Sequence, residues 1–482
     1  MSIAAEIAYL NWLAGEERTR QQNVVLARNY YEGEHEVPLT ERQKEFLGFN
    51  FKADEERFAV NYCRMVVDAV VERLLVAGFK SLDEELAGLA WGWWQANRMD
   101  EGQGVIHLGA VRDGEFFVMV DWDEEVGRPR FIPHPRYTDP QVKGTGFGCK
   151  AFYPNDDPSQ PMDYASKRWT ETVTDERGRR QTQQRMTLYY ADQVEKYVLG
   201  TRSGEAGWEE YAEEDDGVWP VRWVDRAGRP LGIPVVHFRN SGLRTELWDA
   251  IPVQDAVNKT ALDILATADA CGFRVLVARG FIPTTDGKTP EEDGGNYLQI
   301  SPGCWIGVPN PEARVDPLEA ADLRPMLEAL DSWVMKLGQV TDTPMSRFQM
   351  TGQVAAEGTL KQQEEPLLAK IRGRQVGFGN SWENVMYFSM RLANTFGGAG
   401  LDEEALVEAQ WSPAETRDEK EEIETIGLKV EKLKIPLEVA WAEAGYSQDQ
   451  IEEMKQTEEY QARAAMREMA RAGLGAMGGE EG

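Results

Sequence analysis

The sequence of 482 residues is longer than a single hydrophobic core usually supports, so it predicts two or more packed units. Hydrophobic residues make up 42% and aromatic residues 10% of the chain, which excludes a disordered protein. The formal net charge of -30 disfavours an ordinary sequence-reading DNA-binding protein, which needs a basic surface, but it does not exclude DNA that slides past without being held.

The first part of the chain is predicted to be helical. Apolar residues follow helical spacing over residues 3–31, where Gly15 is expected to divide two helices and Gly33 to end the second. Two further helices are predicted over residues 61–75, with Asn61 or a neighbour as the cap, and 86–97.

An antiparallel meander is predicted next, from short β-branched or aromatic runs bounded by Gly, Asp and Pro. The predicted strands cover residues 114–121, 130–133, 148–153, 169–174, 185–190, 195–198 and 235–239. The sequence DERGRR at residues 175–180 predicts a hairpin turn. The first half of the chain is therefore expected to be α+β.

From Glu246 onward the pattern is mainly helical. Helices are predicted over residues 249–270 and 322–338, each with a single apolar face. They flank residues 273–317, in which short strands are expected at 275–277 and 305–308.

An aperiodic segment, residues 341–353, contains Pro344 and Gly352 and predicts a loop. A long helix should follow over residues 354–395, kinked or broken by Pro366. The remaining predicted helices cover residues 418–433, 436–444 and 448–472, with Ser447 as the N-cap of the last, and residues 473–482 are expected to form a disordered tail.

No motif in the sequence indicates catalysis, a cofactor or a metal. The DGKT sequence at residues 286–289 resembles the end of a phosphate-binding loop, but Ile282 stands where that motif needs a glycine, so a surface turn is favoured. The glycine cluster at 144–148 precedes a predicted strand instead of a helix, which favours a turn over a dinucleotide site. An enzyme remains possible only through groups brought together in three dimensions.

The cysteines and histidines indicate structural roles. The four cysteines, Cys63, Cys149, Cys271 and Cys304, are far apart without a CxxC pair, which predicts reduced thiols in a reducing cytoplasm. The four histidines lack the spacing of metal ligands. Residues 1–13 do not have the pattern of a signal peptide, and no apolar run reaches the roughly 20 residues needed to span a bilayer, so no membrane association is expected.

Several blocks of the chain resemble the phage portal family of the SPP1 connector type. They recur in family order from about residue 20 to about residue 455. The blocks are NYCRMVVDAVVERLLVAGF at 61–79, LGIPVVHFRN at 231–240, IPVQDAVNKT at 251–260, AEGTLKQQEEPLL at 356–368, and VGFG at 376–379 followed by Trp382.

The resemblance implies a mainly α, multi-domain α+β fold with wing, stem, clip and crown. The implied regions are a wing (1–245), stem helix 1 (246–271), a clip (272–318), stem helix 2 (319–340), a channel loop (341–353), a long kinked helix with the return of the wing (354–414), a helical crown (415–472) and a disordered tail (473–482). The apolar faces of the stem helices and the long helix are candidates for subunit interfaces or for the chain's own core.

The resemblance also implies a function. The chain would form a homo-oligomeric ring of twelve subunits at one capsid vertex of the virion, assembled in the host cytoplasm. Its implied partners are double-stranded DNA during packaging and ejection, the large terminase, a head-completion or adaptor protein, and the major capsid and scaffolding proteins. A ring of about twelve helices spaced by roughly 8 to 10 Å leaves an opening of roughly 20 to 28 Å, which duplex DNA can pass.

We expect the channel loop to carry the residues that face DNA. Arg347 would touch phosphate transiently, while Met345, Phe348 and Met350 would pack against neighbouring loops or DNA. The expected DNA-facing residues are Thr343, Pro344, Met345, Ser346, Arg347, Phe348, Gln349, Met350 and Thr351. The alternatives are another virion structural protein, such as a minor capsid or adaptor protein, and a nucleic-acid-processing enzyme.

Overall fold

The computed structural model describes residues 14–35, 60–138, 148–174, 178, 180–199, 208–211, 219–272, 276–279, 314–317, 322–348, 357–415, 419–457 and 460–462. The chain divides into two compact units, as its length predicts. The first unit comprises Met1–His35, Asn61–Ile251 and Gly338–Gly482, and the second comprises Glu36–Val60 and Pro252–Leu337. The architecture is α+β.

The helices alternate with short strands in the first part of the chain and dominate the second part. In chain order they are α1 (Ala14–Glu32), α2 (Cys63–Val71), α3 (Glu84–Ala96), α4 (Met99–Asp113), α5 (Ala250–Gly272), α6 (Arg324–Val340), α7 (Glu357–Leu392), α8 (Glu419–Leu433), α9 (Leu437–Glu443) and α10 (Gln448–Lys455). Within the described residues, none of these helices combines the length and apolar character that crossing a membrane requires.

The strands are short and all pair antiparallel. In chain order they are β1 (Val76–Ser81), β2 (Glu115–Asp123), β3 (Arg128–Pro135), β4 (Cys149–Phe152), β5 (Tyr164–Thr174), β6 (Arg180–Tyr189), β7 (Gln193–Leu199), β8 (Trp208–Glu210), β9 (Val221–Arg222), β10 (Val235–Arg239), β11 (Leu276–Arg279), β12 (Arg314–Pro317) and β13 (Val407–Trp411). One sheet has the order β10-β2-β3, and a larger one follows β4-β5-β6-β7-β8 with β9 on β7.

The predicted antiparallel strands are confirmed, and consecutive strands pair from β4 to β7, but the strands fall into two sheets and β10 returns to pair with β2. Strands β5 and β6 pair antiparallel up to Thr174 and Arg180, so the residues for which a turn was predicted connect these two strands. The pairing of β1 with β13, whose partners lie far apart in the chain, was not predicted, and neither were the pairings of β8 and β9 with β7 and of β12 with β11. The strand expected at 305–308 and the tail at 473–482 lie outside the described residues.

Helix predictions at the start of the chain hold with two changes. Gly15 lies inside the first turn of α1, and residues 1–13 lie outside the described residues. Gly33 ends α1 with a φ of +79°, a conformation that glycine adopts without strain. Helix α4 was not predicted because its three glycines weaken the helical pattern.

An aromatic core fills the first unit. The indole of Trp382 on α7 lies 4.7 Å from that of Trp94 and 4.8 Å from the ring of Phe238, measured between ring centroids. All three side chains are almost fully buried. A Cβ at Gly109 of α4 would lie only 2.1 Å from the ring of Phe116, so the glycine permits α4 to approach β2 closely. This core fixes the position of α7 within the unit.

Helix α7 is continuous over 36 residues although Pro366 lies inside it. The predicted alternative of a break at Pro366 is therefore wrong. Pro366 is exposed, so the carbonyl that loses its helical partner can bond to water, while the next two residues, Leu367 and Leu368, are buried and hold the helix in place.

The C-terminal helices are close to their predicted bounds. Ser447 caps α10 as expected, and it forms a reciprocal capping box with Gln450. The prediction of one helix over residues 448–472 is wrong, because α10 ends at Lys455 and Gln456 is its C-cap. Residues 463–472 lie outside the described residues.

The second unit contains most of α5 and α6 and the β11-β12 pair. Within it, the Val60 amide donates to the side chain of Asn258 at 2.9 Å, and Gln254 donates to the Val60 carbonyl. Val257 and Leu262 of α5 are fully buried, which agrees with the single apolar face predicted from their spacing.

Candidate functional site

The predicted loop begins with a tight turn at the end of α6. The Thr343 amide donates to the Gly338 carbonyl at 2.9 Å, and the Thr341 hydroxyl donates to that of Thr343 at 2.9 Å. Asp342 has a φ of +53°, in the left-handed region that Asp tolerates better than most residues. A Cβ at Gly338 would lie 3.0 Å from the sulfur of Met345, so glycine lets the segment fold back closely on α6.

A single 3-10 turn, Met345–Arg347, follows Pro344. Its hydrogen bonds run from the Arg347 amide to the Pro344 carbonyl and from the Phe348 amide to the Met345 carbonyl, each at 3.0 Å. We call residues 341–348 the anchored segment.

The anchored segment exposes only part of the residue set predicted to face DNA. Thr343 and Pro344 are buried, and Met345 and Phe348 are partly buried. Ser346 and Arg347 are exposed. The other three predicted residues, Gln349, Met350 and Thr351, lie outside the described residues.

Two contacts join the outer end of the segment to the region around α2. An Arg347 guanidinium nitrogen lies 2.8 Å from a carboxylate oxygen of Glu72, and the two side chains are 35% and 53% exposed. The ring of Phe348 packs edge-on against Tyr62, with centroids 5.7 Å apart. An ion pair this exposed contributes little stability, so Arg347 can exchange Glu72 for another anion at small cost.

A buried charge cluster fixes the inner end of the segment. The Lys370 ammonium donates to the Thr341 carbonyl at 2.6 Å and to the Glu246 carboxylate at 2.7 Å. Arg374, one helical turn further along α7, donates to the other oxygen of Glu246 at 3.1 Å. The side chain of Glu246 is 7% exposed, and those of Lys370 and Arg374 are each 15% exposed.

The electrostatics of this cluster favour an ionised carboxylate. Burial alone would raise the pKa of Glu246, but the charges and hydrogen bonds of Lys370 and Arg374 outweigh burial and hold that pKa below its ordinary value. The two cations are four residues apart on a predicted helix, which is a signal visible in the sequence. Their carboxylate partner could not be identified from spacing.

A second buried network lies between β2 and β10. A ring nitrogen of His237 is 3.0 Å from the Glu115 carboxylate, and its other ring nitrogen is 2.9 Å from the Tyr153 hydroxyl. Burial would raise the pKa of Glu115, yet the charge of Arg136, 3.5 Å away, together with His237 holds that pKa well below its ordinary value. The network links neighbouring strands.

His107 also has a structural environment. Its Nδ1 donates to the Leu74 carbonyl at 2.9 Å, and its Nε2 accepts from the indole of Trp382 at 3.0 Å. Burial lowers the pKa of His107 to about 4, so the ring is neutral at pH 7. Both ring nitrogens are therefore used in packing α7 against the rest of the unit.

The chemistry of the remaining groups is limited. The described part of the chain contains no group of three or more His, Cys, Asp or Glu placed to hold a metal ion. Cys63 and Cys149 are buried free thiols, and burial raises the pKa of Cys149 to about 12. The DGKT sequence at 286–289 and the glycine cluster at 144–147 lie outside the described residues.

Fold and site together define a class, an α+β scaffold that anchors a short exposed segment between two long helices. The chain belongs to the phage portal protein family of the SPP1 Gp6-like type, whose family model matches residues 10–466. This family is structural rather than catalytic, and its members serve as portals or connectors of phage particles.

Relatives in two phages agree with this assignment. The chain is 24% identical to the portal protein of Mycobacterium phage D29 over 485 aligned positions, which cover 95% of this chain and 88% of the relative. It is 23% identical to the portal protein of Mycobacterium phage L5, with 91% and 85% covered.

Among solved structures, a chain in the neck of an empty gene transfer agent particle is similar with a TM-score of 0.41 and 10% identity. The alignment covers 82% of this chain and 94% of that one. A chain in the virion of the native particle aligns with the same coverage and identity and a TM-score of 0.38.

Proposed function

We propose that copies of this chain form a ring at one vertex of a phage capsid, through which double-stranded DNA enters during packaging and leaves during ejection. The observation that carries this proposal is the family match over residues 10–466, nearly the whole chain. A ring of about twelve copies, built around helices spaced by roughly 8 to 10 Å, would leave an opening wide enough for duplex DNA.

The regions of the chain take their roles from the family. Residues 1–245 form the wing, 246–271 and 319–340 the stem, 272–318 the clip, 354–414 the long helix with the return of the wing, and 415–472 the crown. Helices α5 and α6 flank the proposed clip in sequence, and the described part of the clip contains the antiparallel pair β11-β12, which supports this division.

The channel loop, residues 341–353, contacts DNA through the exposed part of the anchored segment. Ser346 and Arg347 are the exposed members of the expected set within residues 343–348. Arg347 follows the phosphate backbone by exchanging Glu72, its partner at 2.8 Å, for phosphate oxygens. Because each subunit contributes one exposed contact of this kind, the ring can touch DNA without halting it.

The ring also serves as a docking platform. We assign to the clip the contacts with the large terminase during packaging and with a head-completion or adaptor protein afterwards. Major capsid and scaffolding proteins surround the wing during assembly in the host cytoplasm. The energy for DNA movement comes from the terminase, since the portal family is structural.

Electron microscopy of the purified chain tests the proposal. The expected result is a class average of closed rings with a central opening of roughly 20 to 28 Å. Particles without a central channel would contradict the proposal and favour a minor capsid or adaptor protein. A monomer or dimer under assembly-permissive conditions would favour the alternative of a nucleic-acid-processing enzyme.

A further inference from the structure

A groove of about 1000 Å³ runs beside α7 in the first unit. Helix α7 presents Gly377, Asn380, Asn384 and Arg391 to it, at steps of three, four and seven residues that place them on one face of the helix. The opposite wall includes Arg239 at the end of β10. A Cβ at Gly377 would meet nothing within 4 Å, so the groove is open at this position.

The residues that line this groove are basic, although the chain as a whole is acidic. Asp and Glu make up 82 of the 482 residues, yet none occurs among the described residues that line the groove. Three arginines do: Arg239, Arg374 and Arg391. Arg374 pairs with Glu246 at 3.1 Å and Arg391 with Glu403 at 3.3 Å, but neither carboxylate lines the groove. The groove is a basic site on a chain with a net charge of -30.

The depth of the arginines restricts what can bind. The side chain of Arg374 is 15% exposed and that of Arg391 is 29% exposed, so both are recessed. The phosphates of duplex DNA lie on a rigid cylinder roughly 20 Å across, which does not enter a groove of this size. Carboxylates on an extended polypeptide can reach recessed guanidinium groups and bond them in the two-pronged geometry that arginine favours.

We propose that the groove binds an acidic segment of a second copy of this chain, an inference that rests on the ring proposed above. A ring is generated by head-to-tail contacts, so one face of each subunit must complement a different face of the next. A basic groove on an acidic chain meets that requirement, because every copy supplies surplus carboxylates and two grooves repel each other. The contact therefore selects head-to-tail association over a symmetric dimer.

The test places carboxylates inside the groove. The double substitution Asn380→Asp and Asn384→Asp changes charge with almost no change in shape, at two exposed positions. The control, Gln362→Glu with Gln363→Glu, adds the same charge at exposed positions of α7 that do not line the groove. We expect the groove variant to need a roughly tenfold or higher protein concentration for half-assembly by mass photometry, and the control to stay within about twofold of the wild type.

A second variant tests the same contact by filling the groove with an uncharged side chain. Gly377→Gln adds a side chain to the open part of the groove, where a Cβ meets nothing within 4 Å, and should also weaken assembly. Thermal unfolding of the dissociated subunit should stay unchanged or rise slightly. This variant keeps the test decisive if the double substitution fails to fold.

The outcomes separate this contact from the ring itself. If wild type, control and both groove variants assemble equally, the ring stands and the groove contact is overturned. If the groove variants assemble like the wild type but bind a short fluorescent DNA duplex more weakly, the contact between subunits is also overturned. The groove would then be assigned to nucleic acid. A wild-type chain that never assembles contradicts the proposed ring, and this contact with it.

Discussion

The side chain of Glu246 connects three parts of the first unit: the residues before α5, helix α7 and the anchored segment. It precedes α5 in the chain, its two oxygens bind Lys370 and Arg374 of α7, and Lys370 also binds the Thr341 carbonyl at the base of the anchored segment. A buried carboxylate between two cations is stable as a set, whereas removal of its charge leaves Arg374 uncompensated and Lys370 with only Asp342, 3.6 Å away at a half-exposed position. The geometry of the proposed channel loop therefore depends on this residue.

Substitution of Glu246 by Gln should destabilise the first unit by about 3 kcal/mol at pH 7, because it leaves Arg374 buried without its counter-charge and Lys370 with only the half-exposed Asp342, 3.6 Å away. The folded-state pKa of Glu246 lies below its ordinary value of 4.5, so its stabilisation is complete above about pH 4.5 and is lost as the pH falls through the folded-state pKa. The midpoint of urea unfolding, measured at pH 7 and below pH 4, should show a difference that shrinks in acid.

The control for this prediction is Glu404→Gln, at an exposed position of the same unit. It should change stability by less than about 0.5 kcal/mol. A difference between wild type and the Glu246→Gln variant that stays constant with pH would show that the carboxylate charge is not what stabilises the cluster.

Substitution of Arg347 should change the retention of DNA and hardly change the stability of the fold. Arg347→Ala is expected to lower DNA retention in filled particles by roughly two- to fivefold, the equivalent of about 0.4–1 kcal/mol for an exposed charge contact. Arg347→Lys should retain most of the effect, and Glu72→Gln should shift retention upward because it frees Arg347. Retention that is identical in all four proteins would remove Arg347 from the channel.

At the level of elements, strong periodicity was sufficient to predict a helix or strand where the local sequence pattern and the tertiary packing favour the same structure. The apolar spacing in α6 and α7 predicted both helices, and the turn residues between β5 and β6 predicted their hairpin. Helix α4 shows the opposite case, since its glycines weaken the local signal while burial of Ile106 and Val111 stabilises the helix. The β1-β13 pairing depends on contacts between distant parts of the chain, which spacing does not encode.

Helix α10 allows a test of one local signal. Its Ser447 cap precedes Gln448, which accepts from the Phe79 amide of β1, and Asp449, which accepts from the indole of Trp91. Ser447→Ala should cost about 1 kcal/mol and raise the amide exchange rate of residues 448–455. Ser447→Thr, which keeps the hydroxyl, should leave exchange near the wild-type level, and equal exchange in both variants would show that the capping box does not hold α10.

At the scale of the whole molecule, the sequence predicted the candidate loop but not what anchors it. Absence of periodicity and the presence of Pro344 marked residues 341–353 as irregular. The burial of Thr343, the fold-back onto Gly338 and the Lys370 contact are tertiary features, so the division between buried and exposed residues in the segment could not be derived from spacing. The basic groove was missed for the same reason, because Arg239 of β10 lies far along the chain from Arg374 and Arg391 of α7.

Net charge sets the conditions under which the proposed ring forms. Each copy carries -30 formal charges, so approaching subunits repel one another over a distance set by the Debye length. That length falls from roughly 30 Å at 0.01 M salt to roughly 8 Å at 0.15 M. Recessed pairs such as those proposed in the groove are screened much less than exposed charges. Added salt in this range should therefore weaken the repulsion more than the contact.

We expect the fraction of chain in rings to rise as sodium chloride increases from about 0.01 to 0.15 M, measured by sedimentation velocity at fixed protein concentration. The Asn380→Asp and Asn384→Asp variant should recover only part of this gain, because salt screens the long-range repulsion but does not restore the groove contact. Rings that dissociate over the same range would mean that exposed ion pairs, rather than apolar burial and recessed contacts, hold neighbouring subunits together.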